Sequence, residues 1–207
     1  MFYNYSCLFA LGTLFFKHFI VHHSLSSRMQ AQVYSTNVEH PESIDKVSHI
    51  DNYGNAHMVD VSNKTTTKRR AVAMGRIVLN KKAFSIVAEH QASYKGSVLA
   101  VAQLAGIMAA KHTSAIIPLC HNIMLTSVQV TFSIVKESNA VEVCARVQCE
   151  GVTGCEMEAL TAASTALLTI YDMTKGIAKD HVITDIRLID KSGGKSGHFS
   201  LKTSCTS

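Results

Sequence analysis

None of the six cysteines, at 7, 120, 144, 149, 155 and 205, forms a CxxC pair or the even spacing of a small disulfide framework, so they read as reduced core or loop thiols. Cys120 and His121 are adjacent, but no second ligand pair at metal-site spacing accompanies them, and a metal site is rejected. No apolar run is long enough to cross a bilayer. The nearest approach, in MFYNYSCLFALGTLFFKHFIVHHSLSS at 1–27, is cut at Lys17 and His18 after about ten apolar residues, where a spanning helix needs about 20. Dense Lys/Arg clusters are missing too. The formal charge is +5, and because Lys17, Arg28 and Lys46 balance Glu39, Glu42 and Asp45, the whole excess lies in residues 49–207. So mild an excess suits an anionic small molecule and argues against a nucleic-acid partner. The loop KSGGKSG at 191–197 is not a Walker A motif, because Ile189 stands where that motif needs glycine five positions before Gly194.

Acidic residues are absent before Glu39. With the hydroxyl residues, histidines and Arg28, this favours a mitochondrial presequence over 1–28, and hence the mitochondrial matrix. The apolar run keeps a secretory signal peptide open, and a wrongly assigned start, leaving a cytoplasmic protein, is the third reading. Residues 29–47 are polar, contain Pro41 and show no period, as expected of a linker. The remainder, 47% hydrophobic overall, supplies one well-packed domain over 48–202, with a tail at 203–207 and no membrane segment in the mature domain.

Within that domain Asn52-Tyr53-Gly54-Asn55 signals a turn and Met58 to Val61 a short extended piece. An apolar, β-branched stretch over residues 71–79 predicts a strand, and Asn80 offers an N-cap for a short helix carrying Phe84, Val87 and Ala88. Ser97 caps a second helix, apolar on nearly every side and so expected to be buried on most of its surface. Val128, Val130, Phe132 and Ile134, then Val141, Val143, Ala145 and Val147, alternate with polar residues on either side of a turn at 136–139, which predicts a hairpin with one buried face. After glycines at 151 and 154, Met157, Leu160, Ala163, Leu167, Ile170 and Ile177 recur at helical spacing through residues 151–179. A last strand carries Val182, Ile183, Ile186, Leu188 and Ile189. The order β-α-α-β-β-α-β predicts an α+β sandwich, helices on one face of a mainly antiparallel sheet.

The opposite face of the long helix lines up Glu158, Thr161, Thr165, Asp172, Lys175 and Lys179, with Asp172 and Lys175 one turn apart. Alone, such a row is more often the charged surface of an ordinary helix. Lys95 precedes a helix N-terminus, a favourable phosphate environment, but a lysine in an exposed loop is as good a reading. His121 follows Pro118 in a connecting segment, where a lone histidine is more often structural. Lys191 and Lys195, among glycines and serines, present ammonium groups and bare N–H to a phosphate, or belong to an unstructured tail. Taken together with Arg69 they make an inventory for binding several phosphates and moving protons. Glu158 and Asp172 are fourteen residues apart, about 21 Å along a straight helix, so one small substrate cannot touch both unless a neighbouring subunit completes the site.

IPLCH at 117–121, EMEALTAAS at 156–164, YDMTK at 171–175 and KSGGKSG at 191–197, preceded by HMVDVS at 57–62 and YKG at 94–96, resemble the molybdenum-cofactor biosynthesis protein C family, cyclic pyranopterin monophosphate synthase. The match runs in order over residues 48–202. It implies a ferredoxin-like fold, a homo-hexamer (a trimer of dimers) with active sites between subunits, and a GTP-derived small-molecule substrate. That substrate is cyclised dihydro-GTP (3',8-cyclo-7,8-dihydroguanosine 5'-triphosphate), converted to cyclic pyranopterin monophosphate and pyrophosphate. The resemblance carries catalysis onto Asp172, Lys175 and Lys95, and substrate contacts onto Leu119, Cys120, His121, Met157, Glu158, Arg69 and Lys191, with Lys195 a further candidate for the leaving group. A rearrangement of this kind requires no redox cofactor, though Mg²⁺ is compatible with a triphosphate. A lysine among cations is expected to have a lowered pKa and act as acid or base, with Asp172 holding the Lys175 ammonium. Ser97, Asn122, Cys155 and Thr174 depart from the family pattern without removing a proton-transfer group, and Ser97, close to Lys95, leaves that lysine the least secure of the three catalytic assignments. A rival, RNA binding on the same scaffold, wants aromatic residues on the sheet, whereas Ser127, Gln129, Thr131, Glu142 and Arg146 occupy those positions.

Overall fold

The computed structural model describes residues 47–89 and 97–201. Five strands form an antiparallel sheet in the order β2-β3-β1-β4-β5: β1 Thr67–Val78, β2 Leu125–Val135, β3 Ala140–Gly151, β4 Val182–Ser192 and β5 Phe199–Ser200. Between them run α1 (Lys81–Glu89), α2 (Val98–Lys111), α3 (Thr113–Ile116) and α4 (Glu156–Thr174). Strand β3 lies between β1 and β2, as in the split β-α-β of ferredoxin-like folds, so the expected α+β sandwich is the observed one.

Helices α2 and α4 pack against one another, α4 over β1, β3 and β4, and α2 over β2. Their shared core joins Ala71, Ala73 and Ile77 of β1 with Val141, Val143, Ala145 and Val147 of β3, all essentially inaccessible. The helices approach closely because Gly106 on α2 has no side chain. A Cβ there would stand 2.9 Å from the Ala162 carbonyl oxygen and 3.3 Å from the Ala166 Cβ of α4. The β2–β3 turn closes through Asn139 at φ 48°, a left-handed conformation that asparagine tolerates.

Several expectations shift. Strand β1 begins four residues early, because Thr67 to Arg70 pair with Gly151 to Gln148 of β3 despite their polarity. The long helix is shorter than its apolar period, and its buried stripe is Glu158, Ala159, Ala162, Ala163, Ala166, Leu167, Ile170 and Thr174, while Met157 and Ile177 are exposed. Helix α2 is capped by the Ser97 hydroxyl as expected. It is not buried on most sides, however, since Val101, Leu104 and Met108 stay 45%, 62% and 45% exposed. Cys120, Cys149 and Cys155 are free thiols, but Cys144 is disulfide-bonded, against its reading as reduced. Among the described residues no helix is long and apolar enough to cross a membrane.

Candidate active site

Antiparallel pairing puts the start of β1 beside the end of β3 (Thr67 opposite Gly151) and the end of β4 (Arg70 opposite Ser192). Two loops leave this edge, one entering α4 and one carrying the glycine-lysine segment, and the 117–122 connection meets them there. A cavity of about 320 Å³ lies between them, lined by Leu119, Cys120, His121, Glu156 and Met157, with Val59 and Val61 opposite. A second, of about 510 Å³, is lined by Thr65, Thr67, Arg69, Gly194 and Lys195. Lys64 lines both.

Glu158, at 2% exposure, points inward from the first turn of α4. Its Oε1 accepts the Cys120 thiol at 3.6 Å, while its Oε2 is buried without a partner. Burial pushes this carboxyl above the ordinary carboxylate range, outweighing the hydrogen bonds it receives. The same burial, reinforced by the Glu158 charge, pushes the Cys120 thiol up to about 11, so it is a hydrogen-bond donor and not a thiolate nucleophile. His121 Nε2 lies 2.9 Å from the Val59 carbonyl, so that nitrogen carries the proton and Nδ1 is left as an acceptor.

The cationic side is built as firmly. Arg69 donates from Nε to Gly151 O and from Nη2 to Val152 O, both at 3.1 Å, which fixes the guanidinium over the β3–α4 loop. Gly193 and Gly194, at φ 96° and 77°, pass directly over Lys68 and Arg69, where a Cβ would collide with the Lys68 carbonyl or the guanidinium. Lys191 donates to Glu156 at 2.9 Å and to Ser196 at 3.5 Å. Asp190 anchors the far side of the loop, accepting from Arg70 at 2.7 Å and His198 at 2.9 Å. Burial alone would raise that carboxyl, but the bonds from His198 and Arg70 hold it below its usual range. The glycine-lysine segment is therefore an ordered wall of the site.

One end of the molecule thus gathers Arg69, Leu119, Cys120, His121, Met157, Glu158, Lys191 and Lys195. Asp172 and Lys175 are not among them. They sit at the other end of α4, paired at 2.5 Å with side chains 68% and 56% exposed. The hydrogen bond that Lys175 donates to Asp172 raises the Lys175 pKa, so within this chain it is a firm ammonium, contrary to the lowered value expected of a lysine among cations. Lys95 lies outside the described residues. Among the described residues no group of three or more His, Cys, Asp or Glu is placed to hold a metal ion.

Residues 58–194 match the model of the MoaC family. The chain belongs to the MoaC family. It is 53% identical over 156 residues to the cyclic pyranopterin monophosphate synthase of Heliobacterium modesticaldum, covering 75% of this chain and 98% of that one. It is 46% identical over 175 residues to the mitochondrial cyclic pyranopterin monophosphate synthase of Arabidopsis thaliana, covering 84% of this chain and 64% of that one. Molybdenum cofactor biosynthesis protein 1 of Drosophila melanogaster is 45% identical over 174 residues, which is 84% of this chain and 29% of the fly protein.

Besides the lining residues Val59 and Val61, Glu156 and Lys64 of this MoaC-family site escaped the sequence reading. Glu156 shows its part only through Lys191, thirty-five positions away in sequence, and its signal was the first-turn acid of a helix beside a cavity. Lys64 follows the HMVDVS block in an irregular segment, with no periodicity to mark it.

Proposed function

We propose that this chain is a cyclic pyranopterin monophosphate synthase, acting at an early step of molybdenum cofactor biosynthesis and converting cyclised dihydro-GTP to cyclic pyranopterin monophosphate and pyrophosphate. The observation that carries this reading is the pair of adjoining cavities sharing Lys64. The smaller offers a thiol donor backed by the buried Glu158 carboxyl, an imidazole acceptor and apolar walls, which suits a reduced purine. The larger offers Arg69 and Lys195 around open backbone, which suits the phosphate chain. Closing the cyclic phosphate expels pyrophosphate, and cations fixed before the reaction neutralise the charge that grows on the leaving group. Glu158, whose carboxyl burial holds above its ordinary pKa, supplies a proton donor at the purine end. Asp172 and Lys175 supply the acid-base pair for ring opening and rearrangement, with Lys95 the third catalytic group. The rearrangement needs no redox cofactor. Mg²⁺ accompanies the triphosphate if chelation lowers turnover.

The pair on Asp172 lies too far along α4 to reach a substrate held at Glu158 of its own chain. A homo-hexamer, a trimer of dimers with each site assembled between subunits, closes that gap. The apolar stripe Val101, Leu104 and Met108 supports such an assembly, since an uncovered face of this kind favours association. The protein works in the mitochondrial matrix, a reading supported by the acid-free N-terminal composition.

The test is pyrophosphate release by the full-length protein given cyclised dihydro-GTP. Asp172→Asn and Lys175→Ala are expected to fold and to lose turnover. Wild-type turnover in either variant, or an active monomer by gel filtration, refutes the site as described.

A further inference from the structure

His181 precedes β4 and is 7% exposed, yet nothing in the proposed chemistry uses it. The Asn80 backbone N–H, at the start of α1, donates to its Nδ1 at 3.3 Å, so the proton of the neutral ring sits on Nε2. That Nε2 is buried and finds no hydrogen-bond partner. A buried donor left unmet is destabilising and calls for an explanation in what else the ring touches. The ring meets Tyr171 edge-on, centroids 5.6 Å apart at 83°. Tyr171 in turn brackets the segment that follows it. Its carbonyl accepts from the Lys175 backbone N–H at 2.8 Å, and its hydroxyl donates to the Lys179 carbonyl at 3.1 Å. Asp172 and Lys175 both lie inside that bracket, their exposed side chains paired with each other.

We infer that His181 is a positioning residue: anchored by Asn80, its ring fixes Tyr171, and Tyr171 fixes the turn that presents Asp172 and Lys175 to the substrate. The inference rests on the proposed function, in which those two side chains act on the substrate. It assigns to the ring's shape, and not to a charge, the work of holding an exposed acid-base pair in one orientation at the end of a helix. Because the groups that hold the phosphates lie at the other end of α4, disturbing this clamp alters the chemical step and leaves substrate affinity nearly as it was.

The experiment compares His181→Ala, His181→Phe, Tyr171→Phe and Asp172→Asn in the full-length protein, measuring kcat and KM for pyrophosphate release alongside thermal melting. His181→Ala is expected to lower kcat about tenfold with KM within about twofold. His181→Phe, which keeps a ring against Tyr171 while exchanging the unmet Nε2–H for an unmet Asn80 N–H, is expected to restore kcat to within about twofold of wild type. Tyr171→Phe loses only the hydroxyl bond to Lys179 and is expected to lower kcat with KM unchanged, which keeps the idea testable if the alanine variant does not fold. Wild-type kcat in Tyr171→Phe, equal loss in the alanine and phenylalanine variants, or a KM that rises in step with the fall in kcat overturns the assignment. If Asp172→Asn itself turns over normally, the function proposed for the site fails instead, whatever the His181 variants do.

Discussion

Replacing Glu158 by glutamine separates what this residue costs the fold from what it gives the site. The carboxyl is 2% exposed and its Oε2 has no partner. Burial raises its pKa above the ordinary glutamate value of 4.5, so the folded chain holds that proton more tightly than the unfolded chain does. The stability linked to this group is therefore complete below the unfolded value and is lost as pH climbs through the raised native value. Glutamine does not titrate. It keeps Oε1 for the Cys120 thiol and sets a neutral amide where an unpartnered, partly ionised oxygen stood. An unsatisfied buried group costs about 1–3 kcal/mol, and the amide keeps part of that cost through its own unmet N–H, leaving a net gain of about 1 kcal/mol. For a domain of this size that is about 2–4 °C in melting temperature.

The assay is a melting curve for both proteins across pH 4 to 8.5. The Glu158→Gln protein is expected to melt higher than wild type on the alkaline side, with the difference closing toward pH 4.5, while its turnover falls about 10²-fold for want of a proton donor. A variant that melts lower at alkaline pH, or a difference that does not change with pH, refutes the account of Glu158 as a destabilising buried acid.

Gly106→Ala forces a methyl to within 2.9 Å of the Ala162 carbonyl, so α2 and α4 must separate, and thermal unfolding is expected to show a loss of about 1–3 kcal/mol. Gly193→Ala puts a side chain at φ 96° and against the Lys68 carbonyl, displacing the wall that carries Lys191 and Lys195. It is expected to raise KM about tenfold in steady-state assays, and an unchanged KM counts against a phosphate role for the loop. Mixing Glu158→Gln with Asp172→Asn, each inactive alone, is expected to restore about a quarter of wild-type turnover after subunit exchange if every site draws on two chains, and none if each site is built within one.

Much of this was legible in the sequence for a physical reason. In the β2–β3 hairpin one residue in two faces the core, so Val141, Val143, Ala145 and Val147 mark their own register, and the order of elements then restricts the sheet to few arrangements. Helix α4 was harder. Its contact with α2 at Gly106 is made by Ala162 and Ala166, because the close approach there leaves no room for larger side chains, and Ala159 and Ala163 complete a core face of alanines. Alanines weigh little in a hydrophobic period, so the larger Met157, Leu160 and Ile177 drew the expected stripe to one side and left Glu158 on the polar face. The lining residues Val59 and Val61 come from an irregular segment, where nothing repeats and only three-dimensional contact identifies them.

The separation of Glu158 from Asp172 was visible in the sequence as simple helical rise, and the structure makes the difficulty sharper. The same helix buries an acid at its start, against the preference of a carboxylate for water, and exposes an ion pair at its end, where such a pair contributes little to stability. Neither choice serves the folding of a lone chain, since an apolar residue in the first position and any polar residue in the second would do as well. Both choices make sense if the two ends of α4 face different substrates, each completed by the opposite end of α4 from a neighbour. On that view the exposed stripe of α2 and the exposed pair at Asp172 have one cause, the surface that a second copy of the chain covers.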